Sequence, residues 1–189
     1  MTVDEIYSEI AAHMIKGMMT HEQLANYYDF LGLKGYKRCH EYHYLAETCA
    51  YRGLCRYFIN HHNKLIPQKQ VDDPELIPKN WQNYARQNVD SNTKRNSVRN
   101  GLTAWITWEK ETKKLYEQMY KELMAIDEVA SAMKIGELIC DADCELKMAE
   151  RYWLDKEAVG YDMSDIIAEQ KSKHHKYDKK MRKLGVKIC

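Results

Sequence analysis

Proline and glycine are scarce, with three prolines and eight glycines in 189 residues. A protein of short strands and tight turns needs more of both, so the shortage favours long helices. No apolar run approaches the roughly 20 residues that cross a bilayer, which argues against a membrane span. A basic leader is missing too. MTVDEIYSEIAAHM carries acids where a secretory signal carries lysines, so the expected location is cytoplasmic. There is also no excess of one charge. Charged residues make up 30% of the chain but leave a formal net charge of +1, which gives no reason to expect a general polyanion binder and leaves room for local patches. The six cysteines, at 39, 49, 55, 140, 144 and 189, form no CxxC zinc pair and are expected to be reduced. Cys140 and Cys144 lie one helical turn apart and could share a metal, but buried free thiols are the preferred reading.

What is present is helical periodicity. In LTAWITWEKETKKLYEQMYKELMAI, Leu102, Trp105, Tyr116, Met119, Leu123 and Ile126, with the polar Glu109 and Thr112 between them, recur at gaps of three and four, the seam of a helix packed on other helices. Ile6, Ile10, Met14, Gly17, His21, Leu24, Tyr28 and Leu31 mark a similar stripe over 3–31. A short GLKG turn leads to a helix over 36–62, striped by His40, Tyr44, Glu47, Tyr51, Leu54 and Phe58, so these two helices should be antiparallel neighbours. The third seam belongs to a helix over 99–127. A fourth helix over 132–158 carries Ile135, Leu138, Ala142, Glu145, Ala149 and Tyr152, with Ile139, Leu146 and Trp153 widening its buried side. Between the second and third helices all three prolines (67, 74 and 78) fall in a weakly periodic segment, 63–98. A four-helix bundle with one long crossover uses such a segment, and Trp81 and Tyr84 are placed to pin it down. A last, lysine-rich helix over 165–184, with Ser164 as a potential cap, reads as mostly solvated.

Three seams contain a glutamate. Glu47, Glu109 and Glu145 fall at core positions of separate helices, each towards the middle of its helix. A core carboxylate costs several kcal/mol unless it is paired, protonated or bound to a metal. One reading places them at the core edge or bonded to Tyr44, Tyr51 or Tyr116. The other makes them converge as the oxygen ligands of a di-iron or di-manganese site.

At this point the chain resembles the ferritin superfamily. GLKGYKRCHEYHYLAETCAYR is similar to the end of a ferritin first helix, its turn and the start of the second helix. LIPKNW resembles the ferritin crossover, and WEKETKKLYEQM the third-helix segment LEKxV. The resemblance spans about residues 10–155 and puts Glu47, Glu109 and Glu145 at metal-ligand positions of the second, third and fourth helices. It departs elsewhere: the ExxH motif reads Glu47-Thr48-Cys49-Ala50, and the first-helix glutamate becomes Met14. His13 beside it, or His21 where the family has a site-proximal tyrosine, is left to act as the replacement ligand. The resemblance implies iron or manganese, oxidation of Fe(II) by O2 or peroxide, and a homo-oligomer.

Other histidines read more simply. His40, Glu41 and His43 point to different faces and suit packing, with a secondary metal site as the alternative. His61 and His62 suit the negative end of a helix dipole, and His174 and His175 a solvated face. The tail KSKHHKYDKKMRKLGVK offers phosphate contacts to nucleic acid, although a solvated face is the commoner use of such a run. The expectation is therefore an all-α, ferritin-like four-helix bundle over 1–160, with a basic C-terminal helix and tail over 161–189. Its function is iron binding at an intrabundle carboxylate site; the alternative is a scaffold or assembly protein that has lost the centre.

Overall fold

The first helix opens on a capping box. Thr2 accepts from the Glu5 amide, and the Glu5 carboxylate accepts from the Thr2 amide at 2.8 Å, satisfying two amides that the helix leaves free. In the computed structural model, which describes residues 1–74 and 89–185, this helix is α1 (Val3–Phe30). It is followed by α2 (Lys34–His62), α3 (Ser91–Ala125), α4 (Val129–Ala158) and α5 (Met163–Lys183), with no strand among the described residues. No described helix is long and apolar enough to cross a membrane. The first two helices pack on each other, as do α3 and α4, and α1 meets α3 between the pairs. This is the expected all-α bundle with an extra C-terminal helix.

Several boundaries differ from the expectation. The third helix starts at Ser91, eight residues before the predicted start at 99, because Asp90 caps it by accepting from the Thr93 amide at 2.8 Å. Its first turns are polar and contribute only Ser97 and Val98 to the core, which is why the periodicity is faint there. The crossover is thus 63–90, and its described beginning runs beside α1: Ser8 donates to the Pro67 carbonyl at 2.9 Å. Pro78, Trp81, Tyr84 and the LIPKNW stretch lie outside the described residues. Ile126 is exposed rather than part of the seam, since α3 has ended at Ala125. Cys140 and Cys144 are exposed rather than buried, and Cys49 is exposed as well.

The fifth helix is not mostly solvated. Asp162, rather than Ser164, caps it, accepting from the amides of Ser164 and Asp165. Ile166, Lys173, Tyr177 and Met181 are buried against the bundle, and the helix lies along α2. The lysine-rich composition hid this face, because a lysine stem packs while its ammonium finds a ring. The Lys173 ammonium sits 3.3 Å from the centroid of Tyr152.

The core has two halves. One holds Ile6, Ile10, Met14, Leu54, Phe58, Met119, Leu123 and Ile135; the other holds Leu24, Tyr28, Tyr36, Leu102, Trp105, Ala149, Ile166 and Tyr177. Each of the first four helices contributes to both, so the residues between the halves form a layer halfway along the bundle. Those residues include Gly17, His21, His43, Glu47, Glu109, Thr112 and Glu145. Glycine is needed where helices approach. A β-carbon at Gly101 would lie 2.0 Å from the Tyr28 hydroxyl oxygen.

Gly101→Ala is therefore expected to destabilise the fold by about 1–3 kcal/mol through overpacking. Gly53→Ala meets nothing within 4 Å and should stabilise it by roughly 0.5–1 kcal/mol through helix propensity. Urea unfolding of both variants checks the opposite signs.

Candidate metal centre

The layer is polar because the seams carry it there, turn by turn. His21 continues the α1 stripe after Met14 and Gly17, Glu109 follows Trp105 by one turn of α3, and Glu145 follows Ala142 on α4. On α2, His43 and Glu47 are one turn apart and face the same interior. Gly17 gives Glu47 its room, since a β-carbon there would stand 3.3 Å from Glu47 Oε1 and 3.1 Å from the Trp108 ring.

Three of these side chains converge. His21, His43 and Glu145 each offer a ligand atom within 4.8 Å of the others. His43 Nδ1 is 3.1 Å from Glu145 Oε2, outside hydrogen-bond geometry, and His21 Nε2 is 3.9 Å from Glu109 Oε1. Both histidines are buried, yet His21 Nε2 and both nitrogens of His43 lack hydrogen-bond partners. A buried nitrogen without a hydrogen bond costs roughly 1–3 kcal/mol, so His21 Nε2 and the His43 ring beside one carboxylate describe a place suited to a ligand. The opposite nitrogen of His21 is held: its Nδ1 lies 3.1 Å from His40 Nδ1, and the His40 ring is stacked on Tyr28. Glu109 accepts from Trp105 Nε1 at 2.8 Å, which fixes its carboxyl and leaves the second oxygen free of that bond.

A cleft of about 390 Å³ reaches this group from the surface. Its walls include Glu47, Glu109, Glu145 and His43, with Met14, Ala50 and Leu138 as apolar lining; Asp141 and Lys180 also border it. Both Glu109 and Glu145 line it, Glu145 a quarter exposed and Glu109 only 1% exposed.

Electrostatics divides the layer. Burial and the neighbouring Glu145 push the Glu109 carboxyl well above the usual carboxylate range, and the same two causes raise Glu47 to about 8. Burial also opposes charge on His43 and Glu145, but their mutual attraction wins, so His43 is held well above the usual imidazole range and Glu145 below the usual carboxylate one. Burial and the charge of His43 bring His21 down to about 3. The layer therefore holds one ion pair, two protonated carboxyls and neutral His21. Its protons are the ones a cation would displace.

All three predicted glutamates and His21 thus face one layer. His13 stands apart: its Nε2 is 2.7 Å from Thr112 Oγ1, and its ring stacks on Trp108 at 4.3 Å. His43 was not among the predicted ligands. The signal was in the chain, since an imidazole precedes Glu47 by one turn where the ExxH pattern would have one follow it, and the preference for packing over a secondary metal site passed over that symmetry.

These four helices, with a polar layer between two apolar halves and one long crossover, define a ferritin-like helical bundle. The chain is similar in structure to a humanized archaeal ferritin, at 13% identity over 90% of this chain and 94% of that one, with a TM-score of 0.75. It is similar also to a closed form of the Archaeoglobus fulgidus ferritin engineered by site-directed mutagenesis (15% identity, 92% and 96% covered, TM-score 0.75). The open pore ferritin of the hyperthermophilic archaeon Archaeoglobus fulgidus matches with 16% identity, 89% and 94% covered, and a TM-score of 0.69. No family model and no curated protein matches the sequence. At such identities the likeness concerns the fold alone.

His13 supplies a pH test. Burial lowers its pKa from 6.5 to about 4, so the folded chain binds fewer protons there than the unfolded one. The stability it contributes is complete above pH 6.5 and is lost as pH falls towards 4. The expected result is a loss of denaturation free energy between pH 7 and 4.5 that is smaller in His13→Gln; an equal loss in both proteins would contradict it.

Proposed function

We propose that the chain binds Fe(II) inside the bundle, with His21, His43 and Glu145 as its inner ligands and Glu109 and Glu47 as the adjoining carboxylates. The observation that carries this reading is the convergence of two buried imidazoles and a carboxylate, one ligand atom from each within 4.8 Å of the others. Nitrogen and oxygen donors in this ratio suit iron, manganese or zinc rather than a soft thiophilic ion. The ferritin likeness of the fold favours iron.

The residues divide the work. His40 orients His21 through the 3.1 Å contact between their Nδ1 atoms, and Trp105 orients Glu109. His43 would give up its proton to become a ligand, and one of Glu47 and Glu109 would give up another, so that two protons leave for one Fe(II) and the layer stays near neutrality. The cleft admits the ion and a small oxidant, and bound iron supplies one-electron chemistry with O2 or peroxide. Fe(II) oxidation is thus the reaction this site suits. His13, held by Thr112 and Trp108, serves the packing beside the site rather than the ion.

A scaffold function is the second reading. It is favoured by Met14 and Ala50, which put apolar side chains into the same cleft. Anaerobic Fe(II) titration separates the two. Stoichiometric binding by wild type, lost in Glu145→Gln, is the expected outcome, with a stability change in Glu109→Gln of only about 1 kcal/mol because glutamine can still accept from Trp105. Wild type that takes up no Fe(II) would leave the scaffold reading standing.

The assembled form is part of the proposal. Met133, Leu154, Ile167 and Val129 are at least half exposed, apolar surface that a symmetric oligomer would cover. Light scattering at micromolar concentration is expected to give at least a dimer; a monomer alone would refute this.

A further inference from the structure

At the far end of the bundle, the last turn of α2 meets the connection between α3 and α4. There His61, His62 and Glu128 each offer a ligand atom within 4.8 Å of the others. We propose that they form a second metal site, for a divalent ion of the zinc class, separate from the intrabundle layer and independent of what that layer binds. Two imidazoles and one carboxylate make a borderline donor set that suits Zn(II) or Co(II), and three protein ligands leave room for water.

The arrangement is held in place. Glu128 occupies the N-cap position of α4 but makes no side-chain cap; instead its Oε2 accepts from the Ser131 hydroxyl at 3.1 Å. The same hydroxyl lies 3.2 Å from His62 Nε2, and Ser131 is fully buried. One buried hydroxyl therefore orients two of the three ligands, as supporting residues of metal sites do. Rings fix the imidazoles from the other side. His62 packs on Phe58 with centroids 4.7 Å apart and on Tyr7 at 5.8 Å, while His61 is stacked on Tyr57 at 5.2 Å. Lys64, which also faces His62, is neutralised by Asp4 at 2.6 Å, so it adds little repulsion to a cation. The negative end of the α2 dipole adds attraction. An ion held here ties α2 to the α3–α4 connection.

Carbethoxylation with diethyl pyrocarbonate, mapped by peptide mass on the full chain with and without Zn(II), reads this site directly. Zn(II) is expected to protect His61 and His62 while His174 and His175 stay reactive. Ser131→Ala should weaken that protection roughly tenfold in Zn(II) concentration, and Glu128→Gln should remove most of it. Unprotected His61 and His62, equal protection of all four histidines, or protection undiminished in Glu128→Gln would each overturn the proposal. Because the readout is residue-specific, failure here leaves the Fe(II) titration of the inner layer unaffected.

Discussion

Charge placed halfway along an apolar bundle has to be neutralised, and the whole middle of this protein is arranged around that requirement. His43 and Glu145 face each other from α2 and α4 at 3.1 Å. Left single, either would cost several kcal/mol. Glu47 and Glu109 are kept protonated by burial and by the charge of Glu145. The two apolar halves on either side supply the burial that offsets the layer's cost. A polar layer of this kind is hard to explain as packing, because apolar residues of similar volume would be as stable or more so. It is readily explained by a cation that replaces the protons.

The fifth helix closes the layer from outside. Tyr177 packs its ring 6.3 Å from that of His43, and its hydroxyl is 2.9 Å from that of Tyr152. Tyr36 bonds to Glu169, and Lys156 joins Glu169 at 2.9 Å, so α5 is fastened to both α2 and α4. Lys180, on the same helix, stands at the mouth of the cleft with its ammonium 4.7 Å from the Tyr42 centroid. The C-terminal helix is thus part of the wall around the candidate site.

Much of this was legible in the sequence, for physical reasons that can be named. All eight residues of the first stripe, from Ile6 to the capping Leu31, are buried, since a 3.6-residue period depends on no particular side chain. The same reason lets a like fold form at 13–16% identity to the archaeal ferritins. Glu109 stood out because a carboxylate in a seam is a conflict visible without a structure. His43 did not, because it lies beside the α2 stripe rather than on it, and only the pairing with α4 turns it inward. The start of α3 was obscured by polar turns in which Asp90 capping, not periodicity, decides. The buried face of α5 was obscured by lysines whose stems pack while their charges reach rings and acids.

The central claim is that an ion sits between His21, His43 and Glu145. Anomalous diffraction from crystals grown with Fe(II) under anaerobic conditions, recorded at the iron edge, tests it most directly. The account predicts an iron peak bounded by those three side chains, with Glu109 or Glu47 turned towards it. A layer without an iron peak, its imidazole nitrogens still facing one another, would contradict it.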